Sequence, residues 1–400
     1  MRTDPTKCPV GETTHQATDE EISRFLTTDP YKAYAILDDA NRGAYWHDVS
    51  KSWYVTAPGQ VRKMLGDRRF AARGASPLDE KAKVCSRAHY VVELERFLGM
   101  WPVFSDNDAQ RAASQALRKF FSPGRAETMR NDLAATFQRV VNKSDCTKLV
   151  ATFAQPISEA MLSTLLGLTE SETGRVRSMT EGTIQYLSND GQDTVLAENA
   201  LTQIEELEAW LKARTELGND WILSALSDAG VRLTLRELTA VYMQVVTGAL
   251  DPTSNAIAGG LITISRSPEA AGFLERKDYK GLTNYCLGQD TGFHFAPRRA
   301  ACPVSMEGFK IDEGDRVVGV LAWAAHAESE GRSQATVTTP SLAFGHGRHF
   351  CLGANIALVT LEESLRAFFE AYRIRDIDVS GIERIPALGA SVYTDRINFR

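Results

Sequence analysis

From Thr234 to about Ile264 the chain runs through apolar and small residues, with few charges to mark a solvent-facing side. Thr234-Leu235-Arg236-Glu237 has the form of a capping box, in which hydroxyl and carboxylate satisfy free amides at a helix start. A helix of roughly thirty residues that is apolar all round is stable only when enclosed, so this segment is expected to be the buried spine of a large domain. Inside it stands Asp251-Pro252. A mid-helix proline deletes one backbone bond and clashes with the preceding turn, at about 3 kcal/mol unless the helix kinks there.

The surrounding sequence supplies the elements to bury such a spine. Apolar residues recur at helical spacing over 107–120 and 123–142, broken at Ser122-Pro123, a good N-cap and first-turn pair. Helical patterns continue over 155–168, 170–188, 195–228 and 354–372. Strand signals are fewer. Trp53-Tyr54-Val55-Thr56 is aromatic and β-branched, and Ala57-Pro58-Gly59 turns it into a short helix over 59–66. Segments 293–296, 308–311 and 316–321 read as short strands, with Glu313-Gly314 as a turn, and 373–400 reads as strands and turns. The expectation is a mainly α fold with a smaller β part. A polar N-terminal segment (1–29) precedes one domain over 30–400, with no linker inside it.

Composition removes several function classes. A formal charge of −6 argues against a nucleic-acid or anionic-membrane surface, since such partners select basic faces. The start, MRTDPTKCPVGETTHQATDEE, carries no apolar run, and no later segment is apolar for long enough to span a bilayer. The six cysteines (8, 85, 146, 286, 302 and 351) are scattered without a CxxC pair, as expected of free thiols in a reduced cytoplasm.

One cysteine differs from the rest. In Phe344-Gly345-His346-Gly347-Arg348-His349-Phe350-Cys351-Leu352-Gly353-Ala354 a glycine-rich turn delivers Cys351 to the start of a helix. Gly345 and Gly347 permit a tight, partly left-handed loop that can lie against a planar ligand, and Gly353 admits close backbone approach. The helix start points positive charge at the sulfur and favours thiolate over thiol. Phe344 offers an apolar wall. His349 and Arg348 are placed to reach an anionic group at the ligand's edge.

This segment resembles the heme-binding loop of the cytochrome P-450 superfamily, FxxGxxxCxG, at every fixed position, and the bacterial form FGxGxHxCLGAxxA through Ala357. Chance would supply the four fixed positions in a chain of this length on the order of once per thousand sequences. WYVTAPGQVRKMLGDRRF (53–70), Lys119-Phe120-Phe121-Ser122-Pro123 and GFKIDEGDRV (308–317) resemble further family segments, so the likeness spans roughly 30–400. It implies the family's fold, a helix-rich triangular prism with a long central distal helix and a proximal cysteine loop. It also implies heme b, with Cys351 as the iron ligand.

The chain departs from the family in four places. The distal helix usually carries an acid followed by threonine, which pass protons toward the oxygen-binding side of the heme. Here Asp251 fills the acid position and Pro252 stands in place of the threonine, leaving Asp251, Thr253, water or substrate to move protons. The ExxR pair is absent; its slots fall near Tyr285-Cys286 and Gly288-Gln289. The meander after it (SEGRSQATVTTP) is short and unlike the family's. Gln110 and Ser114 replace a His and an Arg that approach a heme propionate. Arg111 and Arg299 are the expected substitutes, together with His349. Losing both the pair and its partner segment suggests a rebuilt scaffold, because removing one member of a buried ion network costs about 3–5 kcal/mol whereas replacing the whole can be near neutral.

By the same resemblance, Gly248 and Ala249 face the heme, while Gln244, Val245, Phe293 and Phe295 face substrate. Arg111, Arg118, Lys119 and Arg125 lie where a ferredoxin or flavodoxin would dock. The expected activity is a heme-thiolate monooxygenase or oxidase of bacterial secondary metabolism, acting on a small organic substrate, aromatic or held on a carrier protein. Two alternatives accompany it. One is a heme-thiolate enzyme of another kind, performing peroxide-driven oxidation, coupling, nitration or rearrangement. The other is a heme-free scaffold that recruits other proteins, against which the intact cysteine loop argues.

Overall fold

The computed structural model describes residues 17–41, 43–72, 87–188, 193–217, 221–306, 308–330, 341–374 and 378–396. Helices dominate, and the longest, Leu235–Arg266, runs through the main apolar core. Its start is the expected capping box: the Thr234 hydroxyl accepts from the Glu237 amide, and the Glu237 carboxylate accepts from the Thr234 amide at 2.8 Å. Pro252 sits inside this central helix without ending it. Proline has no N–H, so the carbonyl of Gly248 lacks its partner one turn on. Leu238, Tyr242, Val246, Ile257 and Leu261 are buried against the helices Gln155–Leu166, Thr194–Leu217 and Ala354–Ala371.

The cysteine-bearing end of the molecule rests on the helix Ala354–Ala371, which packs extensively against Pro123–Val141. Ser122 caps the latter, accepting from the Arg125 amide at 3.3 Å, with Pro123 in the first turn. A half-buried ion network staples the two helices: Arg130 pairs with Glu362 and Glu363, and Arg366 pairs with the same two carboxylates.

The β part is a five-stranded sheet in the order β1-β2-β7-β4-β3, made of β1 (Ala44–His47), β2 (Ser52–Val55), β3 (Phe70–Ala71), β4 (Phe295–Ala300) and β7 (Arg316–Val320). β2 and β7 run parallel; the other pairs are antiparallel. Two hairpins stand apart, β5 (Val304–Met306) with β6 (Phe309–Ile311), and β8 (Ile382–Ile385) with β9 (Val392–Asp395).

Several details differ from the sequence reading. The periodic stretch 170–188 breaks into Glu170–Ser178 and Glu181–Ser188, because the Met179 and Thr180 amides turn back to Arg175 and Arg177. The strand expected over 293–296 begins at Phe295, and Phe293 makes only an isolated bridge to Ala390. Ahead of residue 30, the helix Asp19–Thr28 has its own capping box and buries Ile22 and Leu26 against Tyr34 and Leu37. The folded body therefore begins before that boundary. Most of the meander segment (331–340), along with Cys8 and Cys85, lies outside the described residues.

Candidate active site

The cysteine loop is shaped by two glycines. Gly345 and Gly347 have φ of +73° and +72°, where side-chain-bearing residues are strained. A Cβ on Gly347 would also lie 2.6 Å from the Leu65 carbonyl oxygen, so this turn fits directly on the helix Pro58–Gly66. The Cys351 amide donates to the Phe344 carbonyl at 3.0 Å and closes the loop. Gly353 caps the following helix, and the amides of Gly353 and Ala354 point at the Cys351 sulfur. Burial raises the thiol pKa, opposed by those two amides. Cys351 is deep within the protein yet has exposed surface.

The central helix opens in the same way. Gly248 is exposed in the middle of a buried helix, and a Cβ there would meet nothing within 4 Å. Ala249, Asp251 and Pro252 follow, half-buried, and Thr253 is buried. Burial holds the Asp251 carboxyl above the usual carboxylate range; Arg177 opposes the shift and Glu181 reinforces it. Gln244 is fixed in place, because its side-chain oxygen accepts from the Val103 amide at 3.0 Å. Val245 is half-buried beside it.

A cluster of charge lies next to the loop. Asp106 accepts from the Ala72 amide at 2.7 Å and from His349 Nε2 at 3.1 Å, and it pairs with Arg348 at 3.0 Å. These contacts hold its carboxyl low against the opposing effect of burial. Burial and the neighbouring Arg298 lower the pKa of His349.

Arg298 corrects the sequence reading. β4 pairs with β7 so that Arg298 faces Val317 and Arg299 faces Arg316. This register turns Arg298 inward, to 7% exposure, and sends Arg299 outward, where it donates to the Gly314 carbonyl. Burial holds the Arg298 guanidinium down to about 10, with Asp106 opposing and Arg348 reinforcing the shift. Its one hydrogen bond among the described residues goes to the Pro297 carbonyl. Arg111 is likewise not the inward cation: it is exposed and pairs with Asp108 in its own helix turn. Ser114 is half-buried on the same helix, and the side chain of Gln110 lies outside those described.

Other expected positions separate as well. The Phe295 ring packs edge-on to Tyr34 and Tyr54. Phe293 is 54% exposed. The ExxR slots hold Cys286, buried against the Gly260 carbonyl with its thiol pushed up to about 12, and Gly288, where a Cβ would strike Ser329. A surface cleft of about 420 Å³ between Met64, Phe70 and Val304 contains none of the expected site residues; the chemistry centres on Cys351 instead.

These groups fit a heme. Arg298 and Arg348 face one carboxylate, Asp106, so the cluster holds positive charge for an anionic ligand edge. The Nε of Arg348 and the Nε1 of Trp101 are buried with no hydrogen-bond partner among the described residues. The exposed faces of Cys351 and Gly248 leave room for a flat group. Cys351 would hold the iron, with Arg298, Arg348 and His349 toward the propionates.

A scan against protein-family profiles finds no match. Curated relatives are found along most of the chain. Cytochrome P450 105C1 of Streptomyces sp. is 27% identical, covering 85% of this chain and 89% of its own. The cytochrome P450 monooxygenase PikC of Streptomyces venezuelae is 26% identical, covering 90% and 88%. Cytochrome P450 107B1 of Saccharopolyspora erythraea is 29% identical, covering 80% and 82%. Among solved structures, P450BioI in complex with an acyl-loaded carrier protein matches with a TM-score of 0.79 at 19% identity, over 93% of this chain and 98% of that one. CalO2 matches at 0.78 with 18% identity, over 93% and 96%. Relatives, fold and cysteine loop define the class: the chain belongs to the cytochrome P450 superfamily, in its bacterial form. It is a heme-thiolate oxidoreductase, and its cofactor is heme.

Proposed function

We propose that this P450 is a cytoplasmic monooxygenase of bacterial secondary metabolism, acting on a small organic substrate held between the central helix and the cysteine loop. The observations that carry the reading are the exposed Cys351 at a glycine-shaped helix start and the exposed Gly248 in the largely buried central helix. A thiolate-ligated heme supplies oxidation by activated oxygen.

The protein's own share is positional. Gly353 and Ala354 hold charge on the Cys351 sulfur. Asp251, raised toward neutrality by burial, both carries and releases a proton on the opposite side. Pro252 contributes neither hydroxyl nor N–H, so the proton path runs through Asp251 and Thr253. Arg118 and Lys119 are exposed near the cysteine loop, and Arg118 donates to the Arg348 carbonyl at 3.2 Å. With Arg111 and Arg125 they offer a basic face to an acidic ferredoxin or flavodoxin.

The relatives support secondary metabolism: PikC is named a monooxygenase, and an epothilone C/D epoxidase of Sorangium cellulosum is 24% identical. The carrier protein bound to P450BioI supports a carrier-held substrate. A second reading, an oxidation driven by peroxide or a coupling or rearrangement, is favoured by Pro252 alone. The test is the spectrum of reduced protein under carbon monoxide. A strongly red-shifted Soret band is expected. A heme band without the shift would mean that Cys351 does not ligate as thiolate, and no heme after reconstitution would overturn the enzyme reading. Product yield with a ferredoxin system against yield with peroxide then separates the two oxidants.

A further inference from the structure

The helix Tyr279–Gln289 lacks the family's ion pair, yet a buried carboxylate stands immediately after its end. Asp290 accepts from the Ser391 hydroxyl at 2.6 Å, from the Tyr31 hydroxyl at 3.3 Å and from the Tyr393 hydroxyl. The Ser391 oxygen meets His294 Nε2 at 2.9 Å, and the Tyr34 hydroxyl meets His294 Nδ1 at 2.8 Å. One tautomer satisfies every atom: Tyr34 donates to Nδ1, Nε2–H donates to Ser391, and Ser391 donates to Asp290. This is not a hydrolytic triad. The aspartate bonds the serine at 2.6 Å and stands 3.8 Å from His294 Nε2, and both His294 and Ser391 are fully buried.

Three elements meet at this carboxylate, and one is the central helix. A Cβ on Gly259 would lie 2.6 Å from Asp290 Oδ2, so only glycine lets the helix come this close. Asn255 on the same helix accepts from the Tyr393 amide at 2.9 Å. A Cβ on Gly292 would lie 2.7 Å from the Pro252 carbonyl, which brings the segment after Asp290 against the proline turn of the central helix. The bridge Phe293–Ala390 and the His294 amide bonded to the Gly389 carbonyl at 2.9 Å complete the junction.

We infer that Asp290 is a positioning residue that clamps the 292–294 segment and the start of β9 on to the central helix from Pro252 to Gly259, and so fixes the stretch that carries Asp251 and Thr253. The ties lost with the ExxR pair on this helix are replaced by a hydroxyl-to-carboxylate cluster one turn further on, facing the oxygen side. A fully satisfied buried network of this kind enforces one geometry, because each unpaired member is costly. The inference rests on the reading of the central helix as the oxygen-side wall.

The test compares Asp290→Asn with the parent protein by hydrogen–deuterium exchange, by imidazole titration of the heme and by the reduced carbon monoxide spectrum. Asparagine presents an amide donor where three hydroxyls need acceptors. Exchange over 253–259 and 391–393 should quicken at least ten-fold, imidazole affinity should change at least five-fold, and the Soret position should stay that of the parent. Adding Tyr393→Phe to Asp290→Asn should recover part of the imidazole affinity by removing one stranded donor. Should Asp290→Asn fail to fold, Ser391→Ala removes a single donor and should give the same pattern in smaller degree. Exchange that is unchanged in both segments, or raised evenly across the protein, would overturn the proposal, as would unaltered imidazole affinity. A parent without a thiolate-type Soret band would sink the P450 reading of the site, while exchange in heme-free protein would still decide the clamp.

Discussion

Replacing Arg298 by methionine should separate what this residue costs the empty fold from what it contributes to heme retention. Its guanidinium is held down to about 10, well below the ordinary guanidinium value. At about 1.4 kcal/mol per tenfold change in proton affinity, keeping it charged in the heme-free protein costs about 3 kcal/mol. Methionine fills a similar volume without charge, and Asp106 keeps Arg348, His349 and the Ala72 amide as partners. Heme-free Arg298→Met is therefore expected to unfold at higher denaturant than the parent, by up to about 3 kcal/mol. The loaded protein should behave oppositely. Hydrogen bonds to charged groups contribute about 1.5–3 kcal/mol, so heme should leave Arg298→Met about ten- to a hundredfold faster. Transfer of heme to an excess of apomyoglobin, followed at the Soret band, measures that rate. Arg299→Met is the control and should release heme at the parental rate. Equal loss from both variants, or a less stable heme-free Arg298→Met, would refute the inward assignment of Arg298.

Asp251→Asn should slow turnover at least tenfold while raising thermal stability near pH 7. The sign follows from the raised carboxyl: stability is fully present below the unfolded pKa of about 3.9 and is lost as pH climbs through the folded value, so the variant's advantage must vanish toward pH 4. Melting curves across pH check this, and an advantage that persists at pH 4 would contradict it. Pro252→Thr returns a hydroxyl and an N–H to the helix. The ratio of peroxide released to product formed should shift by several-fold, and unchanged coupling would remove Pro252 from the proton path. Gly347→Ala places a Cβ 2.6 Å from the Leu65 oxygen at a φ of +72°. Heme occupancy should fall at least severalfold on expression, and full occupancy with an unshifted Soret band would show that the loop tolerates displacement.

How much could be foreseen depended on the range over which each feature is encoded. The central helix, the Thr234 box, the Ser122-Pro123 start and the cysteine loop are written in contiguous residues, and all were legible. Arg298 and Arg299 were not separable from sequence. FAPRRA offers no alternation at its end, and the inward choice is made by the register with β7. Phe295 failed for a related reason: its neighbours Tyr34 and Tyr54 come from distant segments, and no local pattern announces that an aromatic faces aromatics instead of a pocket. The Asp290 cluster draws on residues 31, 34, 255, 294, 391 and 393, each unremarkable alone. The loss of the ExxR pair was the visible sign that something must take its place, but not where.

The fit of Gly347 on the Leu65 carbonyl also bears on the order in which the protein matures. The two halves of that contact come from opposite ends of the chain, and contacts so remote in sequence close late because their loop entropy must first be overcome. Until the N-terminal helix Pro58–Gly66 has docked, the glycine turn has no template, and Cys351 is an ordinary thiol on an unshaped strap. Cofactor capture then belongs to the final stage of assembly. Soret absorbance in a growing culture counts finished molecules, while an antibody to the C-terminal helix counts all of them, and the gap between the two measures chains still waiting for their first hundred residues to arrive.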